Sequence, residues 1–385
     1  MDFELTEKQR ILRNTMREFI RKECPDRLVR EMDKKHEVPP EIFSKLADLG
    51  VCGLMVPQQY EGVGPDLLGA LIVSEELAWQ WMALSWAYCL VTYFGGANVA
   101  ELGNESQKQA YLPQIAKGKI SFSYALTEPN GGSDLSTCQT MAISQGDEFI
   151  INGQKTYISG ADSANYLFTL VKTGKDLPNR QAFTMFIIDS KATGIEVRPI
   201  EKIGLGGCSS CEVFFNDVHV PKQNLVGGPD SFGKGWGQLL QTLVTERLHL
   251  AAEAVGIAQG ALDKAMTFAK ERIQFGQPII NFQAIGHKLA EMATEVEAAR
   301  LLTYYAAYLK EQGKPCYTES AMAKFFACDV ATRVSEQGLL VAGGHGYMLE
   351  SEMQRYFRDV MAVVIGGGTP EIQKEAIIRG LRRKG

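Results

Sequence analysis

Tyr124-Ala-Leu-Thr-Glu-Pro-Asn-Gly-Gly-Ser-Asp134 is the stretch on which the reading of this 385-residue chain turns. Pro129 and the turn residues beside it release backbone N–H groups from any ladder, and Thr127 and Ser133 add hydroxyls. Taken alone, the segment is a polar turn between strands. Its position gives it weight, because the chain reads helical upstream and changes character at about Ile120. From there short β-prone runs alternate with turns, over 149–159, 165–173, 182–189, 194–200 and 211–221. That spacing predicts an antiparallel sandwich or barrel. Asn152-Gly153 inside the first run has the sequence of a hairpin turn.

Working outward, Thr6 and Gln9 form a capping box ahead of apolar residues at helical spacing: Ile11, Leu12, Met16, Phe19 and Ile20. Pro39-Pro40 opens a second helix and Gly50 closes it. Pro57, Gly62, Gly64 and Pro65 break the pattern before an apolar-rich helical stretch from about Leu67 to Val99. On the other side, Gly227–Gly235 reads as a linker. Leu248, Ala251, Ala252, Val255, Ala258, Leu262 and Ala265 then make a stripe at period 3.6, and further helical patterns cover about 282–312, 318–342 and 369–382. The order is helical, β, helical.

The length fits two or three domains. A net charge of −5 and an isoelectric point near 5.7 give no electrostatic footprint for nucleic acid. Arg382-Arg383-Lys384 reads as a solvated tail. The chain lacks a run of about 18 apolar residues, so no membrane insertion is expected. Its first ten residues are acidic and polar where a signal peptide needs a basic end and an apolar stretch, which predicts a cytoplasmic protein. Eight scattered cysteines do not make a disulfide framework. Cys208 and Cys211 form a lone CxxC without further ligands nearby, and are read as a loop entering a strand rather than as a metal site.

Several segments together resemble the acyl-CoA dehydrogenase family over essentially the whole chain. They are the 124–134 stretch, Asn152-Gly-Gln-Lys-Thr-Tyr-Ile-Ser-Gly160, Asn216-Asp-Val-His-Val-Pro221, Thr245-Glu-Arg-Leu248, Glu271-Arg-Ile-Gln-Phe-Gly-Gln-Pro-Ile-Ile-Asn-Phe-Gln283, Gly343-Gly-His-Gly-Tyr347 and Gly366-Gly-Gly-Thr-Pro-Glu-Ile-Gln373. The resemblance implies an α+β multidomain fold, with an N-terminal helical domain over 1–119, a central antiparallel β-sandwich or barrel domain over 120–229 and a C-terminal four-helix bundle over 230–385. It implies FAD, with Tyr124, Leu126, Thr127, Ser133, Tyr157 and Ser159 at the flavin. Tyr157 stands where the family usually has Trp. Arg272, Phe275 and Gln283 are implied to meet the adenosine and pyrophosphate half of FAD bound mainly by a neighbouring subunit. Gly344 is implied at a FAD-contacting loop, and Thr369 and Glu371 near the flavin. Leu340 stands where a polar Gln is common, and Glu61 departs from a usual Tyr-Gly-Gly. A homotetramer built as a dimer of dimers, an acyl-CoA substrate and an electron-transfer flavoprotein as partner are implied as well.

The family chemistry needs a carboxylate that removes a proton α to a thioester carbonyl while hydride leaves the β-carbon. In many members that Glu stands in a C-terminal Tyr-Glu-Gly-Thr, where this chain has Gly366-Gly367-Gly368-Thr369. Isovaleryl- and long-chain-type members carry it in a Glu-Arg-Leu helix motif, which matches Glu246-Arg247-Leu248. Glu246 is therefore the expected base, with the Gly367 N–H left for the carbonyl; Glu371 is the fallback. The bland alternative for Glu246 is a solvated carboxylate at a helix start. Ser133, Leu243 and Arg247 are the expected substrate contacts. The acyl pocket is expected to draw on Trp79–Gly96, Thr242 and Leu243, with Trp81, Trp86, Tyr88 and Tyr93 either lining it or forming plain core. The chain also resembles crotonobetainyl-CoA-reductase-like members, so the same residues serve reduction; an inactive flavin- or CoA-binding subunit and an oxidase complete the alternatives.

Overall fold

The computed structural model describes residues 4–174 and 182–384, with the side chains of Arg383 and Lys384 excepted. Met1–Phe3 and two of the three basic tail side chains therefore lie outside the described residues. The first helical layer comprises α1 (Glu7–Glu23), α2 (Asp26–Lys35), α3 (Pro40–Asp48), α4 (Leu67–Gln80), α5 (Met82–Cys89), a π-helical segment at Leu90–Ala97, α6 (Asn98–Leu102) and α7 (Glu105–Ala116). The capping box of α1 is present in both directions, Pro40 takes the first helical position of α3, and Gly50 follows that helix at φ 76°.

The expected helical stretch from 67 onward is interrupted at Trp81, which is extended at φ −149°. Two carbonyls that would continue α4 are taken elsewhere. Tyr356 Oη donates to the Trp79 carbonyl at 2.7 Å, and Arg355 Nη2 to that of Gln80 at 3.1 Å. Capture from a distant helix is invisible to local periodicity.

The middle layer is a seven-stranded sheet of β1 (Phe122–Ala125), β2 (Met141–Gln145), β3 (Glu148–Ser159), β4 (Tyr166–Lys172), β5 (Phe183–Asp189), β6 (Ile195–Ile200) and β7 (Ser210–Pro221). Its order is β1-β4-β2-β3-β7-β6, with β5 also paired to β4. The sheet is antiparallel except where β4 meets β1 and the end of β2. The sequence runs gave β3 to β7 and missed β1 and β2. All four residues of β1 are buried, so it lacks the alternation that marks a half-buried strand. Asn152-Gly153 does not turn the chain; it lies inside β3 at a register shift against β7. A Cβ on Gly153 would come 2.6 Å from the Thr140 Cα, and Asn152 instead exchanges two 2.9 Å hydrogen bonds with Asp217 across the bulge.

The last layer holds α8 (Gly235–Glu271), a two-residue ladder at 273–278, α9 (Gln283–Glu311), α10 (Tyr317–Ala342), α11 (Met353–Ile365) and α12 (Pro370–Lys384). The predicted stripe is buried along α8. Gly256 and Gly260 let α4 pack closely: a Cβ at either would sit 2.2 Å from the carbonyl oxygen of Glu75 or Trp79. This contact locks α8, which carries Glu246, against α4, the helix that leads into the aromatic residues 81–94.

Candidate active site

Glu246 lies well inside α8, so it is not the solvated helix-start carboxylate of the bland reading. Its side chain is half-buried, and Oε2 is sealed from solvent without a hydrogen-bond partner. Burial pushes its pKa up to about 7, against the pull of Arg247 and Lys324. A carboxyl in that range can both accept and return a proton near neutrality.

Across from it stands the turn Gly366-Gly367-Gly368 between α11 and α12. Gly367 has φ 62°, and a Cβ built there would come 3.5 Å from Glu246 Oε1 and 2.4 Å from Leu250 Cδ1. The fold thus brings together the two residues that the sequence placed at the chemistry. Glu371 is exposed on α12, with its nearest cation, Lys374, at 4.0 Å. Thr369 is half-buried beside the turn, its carbonyl accepting from Gln373 N.

Arg247 is 2 % exposed; Nε and Nη1 have no partner, while the guanidinium lies 4.5 Å over the Tyr317 ring. Leu243, one turn before it, is half-buried. Tyr124 reaches α8 from β1 through a 2.9 Å hydrogen bond to Thr242 Oγ1. The π-helical segment sets Tyr93 flat on His249 at 4.7 Å and Phe94 edge-on to Tyr124 at 4.8 Å. The four aromatic residues weighed for the acyl pocket, Trp81, Trp86, Tyr88 and Tyr93, are all buried in the core. Trp86 alone comes beside the glycine turn, 3.9 Å from a Cβ built on Gly366.

The β-layer side of the site is open. Leu126 and Thr127 are half-buried, Ser133 is exposed and Ser159 is half-buried at the end of β3. Beneath this loop the buried pair Lys155–Glu128 closes at 2.8 Å, and Lys155 Nζ also donates to the Leu126 carbonyl. Burial would raise Glu128, but Lys155 and hydrogen bonds from Cys138 and Thr140 hold it down at about 2. Tyr157 is 67 % exposed at φ 58°. A left-handed aromatic costs of order 1–3 kcal/mol, so its presentation to the surface is held by the strand around it.

Arg272, Phe275 and Gln283 are exposed at the far end of α8, about 39 Å along the helix from Glu246 at 1.5 Å per residue. Phe275 is 94 % exposed, again at positive φ. His345 stacks on Phe268 at 5.4 Å and so draws the exposed Gly344 loop to this same end. Leu340 is exposed on α10. Among the described residues, no group of three or more His, Cys, Asp or Glu is arranged to hold a metal, and the eight cysteines are free and buried.

Family models match the chain in succession: the N-terminal domain of acyl-CoA dehydrogenase over 6–119, its middle domain over 123–218 and its C-terminal domain over 233–382. A probable acyl-CoA dehydrogenase of Bacillus subtilis (strain 168) is 40% identical over 99% of this chain and 100% of its own length. The chain belongs to the acyl-CoA dehydrogenase family. Members are FAD-dependent oxidoreductases acting on acyl-CoA. A caffeyl-CoA reductase–Etf complex subunit of Acetobacterium woodii is 35% identical, covering 98% of this chain and 99% of its own. The solved butyryl-CoA dehydrogenase of Megasphaera elsdenii superposes with a TM-score of 0.95 at 33% identity, with both chains fully covered.

The residues present fit the family's FAD. Two aromatic faces, Tyr157 and Phe275, are held open at positive φ, and the loop after Tyr124 leaves turn amides and hydroxyls on the surface. An acyl-CoA dehydrogenase site needs more than the sequence motifs named, however. Lys324 and Gln373 were missed, and both are buried against the glycine turn. The available signal was a lone Lys among apolar residues in Ala321-Met-Ala-Lys-Phe-Phe-Ala327, at a position the helical stripe assigns to core.

Proposed function

We propose that this chain catalyses α,β-dehydrogenation of an acyl-CoA thioester to the trans-2-enoyl-CoA, with Glu246 as the base. The observation that carries the reading is the Glu246 carboxyl, with Oε2 buried and unpartnered and Oε1 set 3.5 Å from a Cβ built on Gly367. Glu246 takes the α-proton; the Gly367 N–H polarises the thioester carbonyl, where negative charge develops. Leu243, Ser133 and Arg247 bound the substrate, and the aromatic layer around Trp86 and Phe94 keeps water out. FAD, when bound, supplies the hydride acceptor. Tyr124, Leu126, Thr127, Tyr157, Ser159 and Thr369 would hold its ring, with Glu371 nearby. Arg272, Phe275, Gln283 and Gly344 would hold the dinucleotide half of a cofactor seated on a neighbouring copy in a homotetramer. The chain divides functionally at 119/120 and 229/230.

The deciding experiment is anaerobic mixing of the FAD-loaded Glu246→Gln protein with a panel of acyl-CoA esters. Flavin bleaching should slow by roughly 100- to 10,000-fold, the usual weight of a general base. Bleaching at the wild-type rate removes Glu246 from the role, and a purified protein that takes up no FAD removes the enzyme reading.

A second reading runs the same residues in reverse, as an enoyl-CoA reductase fed by an electron-transfer flavoprotein. Its support is the relative named as a caffeyl-CoA reductase–Etf complex subunit. Turnover of an enoyl-CoA with reduced flavoprotein, compared with turnover of the saturated ester with an artificial acceptor, separates the two directions.

A further inference from the structure

Lys324 projects from α10 into the interior at 1 % exposure, with no carboxylate in hydrogen-bond contact. Its Nζ donates to the carbonyls of Val364 at 2.9 Å and Gly368 at 2.7 Å, on either side of Gly367. Gln373 Nε2 donates to the Gly367 and Gly368 carbonyls, each at 2.9 Å. The carbonyls of the turn are thus taken by two buried side chains. A buried ammonium is costly unless its charge does something there, and neutral donors would have sufficed for the hydrogen bonds.

We propose that Lys324 is a positioning residue for the thioester carbonyl, fixing the Gly366–Gly368 turn and setting a positive charge behind it to stabilise the enolate. The inference rests on the reading of Glu246 as base and Gly367 as carbonyl donor. When the α C–H bond breaks, the proton goes to the Glu246 carboxylate and the electron pair becomes the enolate on the thioester oxygen. A fixed cation behind the donor favours that charge without moving. The charged or titratable groups set around Glu246 are Arg247 on α8, Lys324 on α10, Tyr124 on β1 and Cys89 on α5. His249, on the same helix, is held neutral by burial, at about 3. Only Arg247 and Lys324 supply positive charge in this set. Burial lowers the Lys324 pKa.

The test uses acetoacetyl-CoA, which ionises at its α-carbon without being oxidised, and calorimetry in buffers of different ionisation enthalpy to count protons. In Lys324→Gln, which keeps two N–H donors and loses the charge, the pH midpoint of ligand ionisation should rise by about one unit, a tenfold weaker ionisation. The kcat should fall roughly 10- to 100-fold, short of the loss from deleting an oxyanion donor outright, with KM nearly unchanged. Lys324→Arg should keep the wild-type midpoint. A midpoint in Lys324→Gln equal to wild type, or equal losses in kcat and in affinity for a saturated ester, overturns the proposal. Glu246→Gln reports separately, because there the ligand's proton should be released to buffer. An unchanged proton count in that variant sinks the base assignment and says nothing of Lys324.

Discussion

At Glu246 the decisive quantity is a pKa near 7 set by burial. Dehydrogenation needs the carboxylate, so its rate should rise as pH passes upward through about 7. Reduction needs the carboxylic acid, so the same titration should appear inverted, falling through that range. Stopped-flow flavin reduction and reoxidation across pH 5.5–8.5 would show one limb against the other; two limbs of the same sign would exclude Glu246 from one direction.

A second carboxyl, Glu253, is fully buried on the same helix and pushed up by burial to about 8, with Ser85 donating to Oε1 at 2.8 Å. Folded protein retains its proton over a range where the unfolded chain, with an ordinary value of 4.5, has lost it. Stability should therefore fall as pH rises from about 4.5 through 8. Glu253→Gln should flatten that decline in urea unfolding compared at pH 6.5 and 8. An identical slope in the variant would show that Glu253 is ionised in the fold.

Among the elements, the π-helical segment and β3 do most to shape the site. Gly95 and Gly96 let Leu90–Ala97 pack on Phe122 and Ile115, where a Cβ on Gly95 would meet the Phe122 ring at 3.0 Å. The wider turn sends Tyr93 and Phe94 toward α8 together, onto His249 and Tyr124. On β3, Lys155 points inward to Glu128 while Tyr157 two residues on faces out, although a regular strand would put both on one face. The irregularity after Lys155 makes the difference. Lys155→Met would leave Glu128 buried without its cation, and should cost about 3–5 kcal/mol in urea unfolding. It should also weaken FAD binding, through the freed Leu126 carbonyl. A loss below about 1 kcal/mol would mean that water replaces the ammonium.

Over the whole molecule, the residues proposed to hold the cofactor fall into two groups separated by most of α8. One includes Tyr124 and Thr369 on the Glu246 side of α8, and the other, with Arg272, Phe275 and Gly344, is exposed at the opposite end. If each site draws on two copies, mixing Glu246→Gln with Phe275→Ala/Arg272→Ala protein after reversible dissociation should recover activity in a fraction of sites. Mixtures no more active than their components would assign both groups to one chain.

Much was legible before the fold was seen. The Thr6 capping box, the Pro40 start, the α8 stripe and the β-prone runs of β3 to β7 between turns are local signals, each carried by residues near one another in sequence. The absence of a Glu at 367 together with Thr245-Glu-Arg-Leu248 pointed to Glu246 through the resemblance to the family's two base positions. What the sequence could not determine was decided by contacts between distant segments. The break at Trp81 depends on Tyr356 and Arg355, and β1 pairs in parallel with a strand some forty residues on. Glu246 becomes a base candidate in physical terms only because α10, α11 and the glycine turn close over it. Solvent exclusion and the field of Arg247 and Lys324 are properties of that assembled space; no neighbour in the chain could have supplied them.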